Sequence, residues 1–239
     1  MSSIARTRPL FPPHSALRAE LNRRVDAYFE QTGLARDGGF PALFKTASIF
    51  AWAVVSYVLL LFWAESWWTA LPLTVSLALA LAGVGFSVMH DGSHGAYSRS
   101  PLINRLAAAT LDFLGASSYV WRHKHVVLHH TYTNIDGVDD DISAEPFLRL
   151  APTQRYRSYH RYQQLYFPVL IGLFFTTKWA VWDDFAVVAR GTLGSQRIPR
   201  PGGWEMAQMI IGKLMFVGWA FALPMMFHPV LPVLVCYTL

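Results

Sequence analysis

Thiols are almost absent: the 239 residues contain one cysteine, Cys236. That excludes an intrachain disulfide framework and a thiolate metal cage. Charge is also scarce, with Asp, Glu, Lys and Arg at 15% of the chain, against about 25% in soluble domains. Nothing resembles a Cys-x-x-Cys-His haem attachment site, and there is no internal repeat or low-complexity segment. Arg6 and Arg8 are not followed by an apolar stretch before Phe44, so a cleaved signal peptide is not expected. The net charge of +5 is scattered around apolar runs rather than gathered on a basic helix, so nucleic acid is not an expected partner.

Apolar residues dominate instead. They make up 53% of the chain, with nine Trp, sixteen Phe and ten Tyr, and the mean hydropathy is positive. That composition predicts an all-α protein with several membrane spans and aromatic residues at the lipid interfaces. A polar N-terminal part contains a predicted helix from His14 to about Thr32. Leu17, Leu21, Val25 and Tyr28 recur there at helical spacing, giving a face for protein or membrane. Asp37-Gly38-Gly39 breaks the pattern. Ala47–Trp63 and Trp67–Met89 follow, each long enough at ~1.5 Å per residue to cross a ~30 Å hydrocarbon core, the first with help from its flanks.

Arg18, Arg23, Arg24, Arg36 and Lys45 precede the first span, and Arg99, Arg105, Arg122 and Lys124 follow the second. The positive-inside rule makes the two spans a hairpin with both flanks in the cytoplasm. Leu102–Val120 is apolar enough to suggest a third crossing. Arg105 and Asp112 on one face, with Leu102, Leu106, Ala109 and Phe113 near another, predict an amphipathic helix in the interface instead. Asn134–Arg161 is polar and holds the acidic run Asp139-Asp140-Asp141. Tyr166–Trp182, interrupted by Lys178, and Trp204–Phe227, carrying Glu205 and Lys213, are the next candidate spans. That makes about four transmembrane helices. A further apolar stretch runs over Pro229–Leu239.

Five of the nine histidines fall in two windows: His90-Asp91-Gly92-Ser93-His94, and His125-Val126-Val127-Leu128-His129-His130. On a helix, residues four apart share a face, so His90 pairs with His94 and His125 with His129. In α geometry His130 turns about 100° from His129, which lets the second cluster serve two metal ions or one ion from two sides. Asp91 is a candidate orienting partner for an imidazole, or a plain polar residue at a helix end. Gly92 is expected to relax the helix between the first pair. Imidazole suits Zn, Cu, Ni and Fe. The zinc-protease pattern His-Glu-x-x-His is not met, because Asp stands in one cluster and Val in the other where Glu would be the base. The Glu-x-x-His pairs of soluble di-iron bundles are missing too. An oxygen-activating iron site fits the residues better.

The stretch His90-Asp91-Gly92-Ser93-His94-Gly95-Ala96 resembles the first histidine box of membrane fatty acid desaturases. Trp121-Arg122-His123-Lys124-His125-Val126-Val127-Leu128-His129-His130-Thr131-Tyr132-Thr133-Asn134 resembles the second. Asn134–Ile142 and Tyr159–Gln163 are similar to the bacterial linoleoyl-CoA desaturase-like branch. The resemblance implies a cytosolic N-terminal segment over 1–43 and a desaturase domain over 44–239, with a cytosolic helical cap carrying the boxes. It implies two non-haem iron ions held by His90, His94, His125, His129 and His130, with Asp91 and Asn134 as supporting residues. It also implies O2 as co-substrate, an acyl-CoA or acyl-lipid substrate, and a separate electron donor of ferredoxin or cytochrome b5 type with its reductase. The enzyme would be a multi-pass membrane oxidoreductase introducing a double bond into an acyl chain. A hydroxylase or other oxygenase on the same boxes, or an inactive relative, stays open.

One part of the family pattern is not met. The family's third box, of the form (His or Gln)-x-x-His-His, does not occur in these residues. His228 stands alone, and His160 lies in a Tyr-rich polar stretch. Five histidines are too few for two irons in that family's coordination, so the chain is expected to be a fragment of a longer protein, or else inactive. Arg200-Pro201-Gly202-Gly203 lacks the histidine of the cytochrome b5 motif and predicts a turn. Arg149, Arg155, Arg157 and Arg161 could meet CoA phosphates or an acidic redox partner. Ordinary positive-inside bias beside anionic lipid explains them as well.

Overall fold

The computed structural model describes residues 9–11, 15–170, 182–194 and 196–238. It is helical almost throughout. Helix α1, Ala16–Thr32, starts where the Ser15 side chain accepts the Arg18 N–H, and ends on Gly33 in the left-handed conformation. Helix α2 spans Gly39–Phe62 and α3 spans Trp67–Ser93; both are long and apolar enough to cross a membrane. The Ala64-Glu65-Ser66 link turns the chain so that α2 and α3 pack side by side. Inside that pair, Trp52 Nε1 donates to Ser76 Oγ (2.8 Å), which also bonds Ser56 Oγ (2.8 Å). Such hydrogen bonds hold spans together where lipid removes the hydrophobic drive for association. Val54, Val55, Val58, Val75 and Leu79 face outward, as a lipid-facing surface requires.

Helix α4, Pro101–Phe113, is 13 residues long, shorter than the roughly 20 a span needs, in agreement with the interfacial reading. Its facing differs from the sequence expectation at one residue. Leu102 and Leu106 are exposed at 62% each, whereas Asp112 is 6% exposed. The aspartate turns inward because it has donors there: Gln208 Nε2 at 2.8 Å and the Ser118 N–H at 3.3 Å.

Residues 118–132 form the next helical run, α5. It opens with Ser118–Trp121, widens into a π-helical stretch over Arg122–His129, and closes with His130–Tyr132. Helix α6 is Gln163–Val169 and α7 is Asp184–Arg190. The expected span over Tyr166–Trp182, with Lys178, lies largely outside the described residues. A two-residue hairpin pairs β1, Thr192–Leu193, with β2, Gln196–Arg197. Helix α8, Gly203–Met226, is the third helix fit to cross a membrane, and α9 is Val230–Thr238. These features make an all-α membrane protein, with three candidate spans among the described residues.

Buried apolar clusters gather at the end of the α2–α3 hairpin away from its turn. Val84, Val88, Tyr97 and Ala107 form one; Met89, Leu111 and Ala116 form another, with Trp121 packed on it. Val120, Leu128, Val187 and Leu193 form a third beneath α5. The histidine-bearing segments lie on these clusters.

Candidate metal centre

The first histidine pair ends α3. A π-helical stretch, Gly85–Met89, immediately precedes His90, and such wide turns are frequent at functional sites. Gly92 is buried against α4: a Cβ there would lie 2.6 Å from Ala107 Cβ and 2.7 Å from the Ala108 nitrogen. Its role is therefore close approach of two backbones, rather than relaxation of the helix as expected. That contact fixes α3's last turn, and with it His90 and His94, on α4.

The second cluster rides on α5. Because the hydrogen bonds of a π stretch close at i+5, residue 130 comes round nearly above residue 125. The His130 N–H accordingly bonds the His125 carbonyl. His130 Nε2 lies 3.2 Å from His125 Nε2, so the α-helical expectation of a ring turned aside is replaced by convergence. Ring centroids of His94 and His130 are 4.6 Å apart, and those of His90 and His125 5.4 Å apart. One ligand nitrogen from each of His90, His94, His125 and His130 falls within 4.8 Å of the others. Nitrogens each ~2.1 Å from one ion are at most ~4.2 Å apart, so a bound metal would draw these rings closer together. The four imidazoles fit a single metal ion.

Carboxylates from the loop after α5 fix the tautomers of the second cluster. Asp141 Oδ2 lies 2.9 Å from His125 Nδ1, and Asp139 Oδ2 lies 3.0 Å from His129 Nδ1. A carboxylate can only accept there, so each His Nδ1–H donates to it and Nε2 is the nitrogen left for a metal, the arrangement that supports histidine ligands generally. His125, His129 and Asp141 also bring three possible ligand atoms within 4.8 Å of one another. Hydrogen bonding to Nδ1 accounts for that closeness, and we read Asp141 as a support.

Asp139 is fully buried and caps the short 3-10 turn Asp140–Ile142 by accepting the Asp141 N–H at 3.0 Å. It also accepts the Asn134 N–H at 2.8 Å, from a residue with φ of 61°. Asn134 thus meets the site through its backbone. Lys124 Nζ lies 3.5 Å from both Asp140 and Asp141, and Trp121 stacks on His125 with centroids 4.4 Å apart. Asp91 Oδ1 stands 3.6 Å from His90 Nδ1, beyond hydrogen-bond range, with Lys45 Nζ 3.9 Å from its other oxygen.

His129 stacks on His125 at 5.1 Å but is not one of the converging four. Three other histidines serve the fold. His123 Nδ1 lies 3.0 Å from the Tyr119 carbonyl, His160 bonds the Pro146 carbonyl and the Arg157 N–H, and His228 bonds the Leu61 carbonyl. The carboxylate partners Asp139 and Asp141 were not expected from sequence; the only signal was an acidic run close after a histidine cluster.

Partial desolvation, then the neighbouring His90, His130 and His125, push the His94 imidazole below its ordinary pKa, with Asp91 opposing. Desolvation, then His125, His129 and His90, do the same to His130, opposed by Asp141. Both effects favour the neutral ring that a cation needs. A cavity of about 580 Å³ between α2, α3, α8 and α9 is lined by none of the clustered imidazoles, so it is not offered as the reacting site.

Residues 65–239 match the family model described as fatty acid desaturase. The chain belongs to the fatty acid desaturase family. Among curated relatives of this desaturase-family chain, the sn-1 linoleoyl-lipid 6-desaturase of Synechocystis sp. is 37% identical over 90% of the chain and 60% of its own length. The enzyme of the same name from Arthrospira platensis is 36% identical over 87% of the chain and 56% of its own length. An acyl-lipid (8-3)-desaturase of Physcomitrium patens is 33% identical over 85% and 43%. The chain thus spans about 60% or less of the length of these relatives. No solved structure matches it significantly.

Proposed function

We propose that this protein takes part in desaturating the acyl chain of a membrane lipid or acyl-CoA. The convergence of His90, His94, His125 and His130 in a desaturase-family chain carries the reading. The relatives' names, which speak of acyl lipids, favour a lipid-borne chain. In the balanced reaction, –CH2–CH2– and O2, with two electrons and two protons, give –CH=CH– and two waters. A bound pair of irons would supply the oxidising power to take hydrogen from a methylene, which has no acidity for a protein base to use. His129, with Nδ1 engaged by Asp139, would hold the second ion through its other nitrogen, together with ligands outside this set. The domain limits 1–43 and 44–239 belong to the same reading.

The chain's own residues aim the imidazoles. Asp139 and Asp141 accept hydrogen bonds from the His129 and His125 Nδ1–H groups, Trp121 fixes the His125 ring plane, and the Gly92 contact holds His90 and His94 in reach of α5. The proposed topology is multi-pass, with the boxes on the cytoplasmic side, where a separate donor of ferredoxin or cytochrome b5 type, with its reductase, delivers electrons. The test is expression of the full-length protein, with its complete ligand set, in a host lacking the activity, followed by chromatographic analysis of its acyl chains. A new double bond that disappears in His90→Ala and in His129→Ala, with both variants still membrane-inserted, is expected. A hydroxylated product with no new double bond, or full activity in either variant, would overturn the proposal.

A further inference from the structure

Lys213 lies about 15 Å along α8 from its start, at ~1.5 Å per residue, in a helix fit to cross a membrane. A cation there is costly and points to a role. Its Nζ donates to the Gly115 carbonyl at 2.7 Å and lies 2.8 Å from Asp184 Oδ2. The Asp184 side chain is completely buried; the same oxygen accepts the Ser117 N–H at 2.8 Å, and the other has no hydrogen-bond partner among the described residues. Farther toward the start of α8, Gln208 Nε2 donates to Asp112 Oδ2 at 2.8 Å and Ser118 Oγ at 3.0 Å. Gly212, beside Lys213, meets α4 so closely that a Cβ would lie 2.7 Å from Asp112 Cβ.

All these contacts grip one short strap, residues 112–118, which joins α4 to α5. The strap matters because the four converging imidazoles come from two pieces of chain. His90 and His94 are fixed by α3's contact with α4, whereas His125 and His130 ride on α5, which begins where the strap ends. The separation of the two halves is therefore set by α4 and the strap together. A buried ion pair often adds little stability over apolar packing of equal volume, and in some proteins its role is to fix register.

We propose that Lys213 and Asp184 are positioning residues for the metal centre, holding the strap so that the two histidine pairs meet. The inference rests on the reading that the four imidazoles bind a metal. The test is a Co2+ titration of the purified protein in detergent, read by visible absorption and compared with thermal unfolding of the metal-free protein. Lys213→Met leaves the Asp184 carboxylate buried without its cation and is expected to destabilise the fold. The double variant Lys213→Met/Asp184→Asn removes both charges, while the amide oxygen still accepts the Ser117 N–H.

The double variant is expected to unfold close to the parent's temperature yet bind Co2+ about ten-fold more weakly, the scale seen when support around ligands is lost. Its absorption bands should shift as well, which a purely structural role would not cause. A double variant with parental affinity and spectrum overturns the proposal, and so does failure of both variants to fold, which would make the pair structural only. A parent protein that binds no Co2+ removes the metal reading itself, and this inference with it.

Discussion

Asp139→Asn isolates the support of one imidazole from the volume it occupies. In the native site both carboxylate oxygens take part: Oδ2 accepts the Asn134 N–H at 2.8 Å and Oδ1 the Asp141 N–H at 3.0 Å, with His129 Nδ1 3.0 and 3.2 Å from the two. An asparagine amide offers one oxygen and one NH2. Whichever way it is turned, one of the two backbone N–H groups then faces a donor. The Asp139 side chain has no exposure, so water cannot take over, and an unsatisfied buried donor costs about 1–3 kcal/mol. The fold of the metal-free protein should weaken by that amount in a denaturant titration. His129 also loses a charged acceptor that fixes its tautomer, a change that typically lowers metal affinity about 10–100-fold, or about 1.4–2.8 kcal/mol. Isothermal titration with Fe2+ under anaerobic conditions measures this on the protein with its full ligand set. Because Asn conserves volume, a cavity cannot account for either effect. Unchanged metal affinity together with unchanged stability would refute the role assigned to Asp139.

Three further outcomes follow from the same geometry. Gly92→Ala should destabilise the protein by about 1–3 kcal/mol, as overpacking does, since its Cβ would meet α4 backbone atoms at 2.7–2.8 Å; a melting temperature equal to the parent's would show that α3 and α4 can part freely. Metal binding should be complete above pH ~6.5, the ordinary histidine value, and decline as pH falls below it. The folded pKa values of His94 and His130 are lowered, so the unfolded chain takes up protons first. Their stabilising contribution is present above the unfolded value and lost as pH falls through the folded ones. A Co2+ titration repeated across pH that shows tighter binding in acid would contradict this sign. Ser76→Ala should cost about 0.6 kcal/mol, the usual scale of a hydrogen bond between spans, because it removes the hydroxyl that joins Trp52 to Ser56; an unchanged denaturation midpoint in detergent would dismiss the α2–α3 clasp.

What could be read from sequence divides by the range of the interaction that decides it. Span lengths are local: runs such as Trp67–Met89 announce a crossing helix because hydrocarbon thickness sets residue count, and the structure places α3 there. The short α4 was legible for a related reason, since Arg105 and Asp112 exclude it from the hydrocarbon. The facing of Asp112 was not, because it depends on Gln208, which lies on another helix. The metal centre shows the same division. His90 with His94, and His125 with His129, follow from four-residue spacing, but His130 joins the converging set only because α5 widens into a π stretch, and spacing rules presume α geometry. Asp139 and Asp141 reach the imidazoles because the loop after Tyr132 folds back, with Asn134 left-handed at its turn. An acidic run that carried no assigned role in the sequence lies, in three dimensions, against the His125 and His129 rings. A histidine box is thus half of a device whose other half is non-local, and substitutions at Asp139, Asp141 or Lys213 should expose it where the motif alone would not.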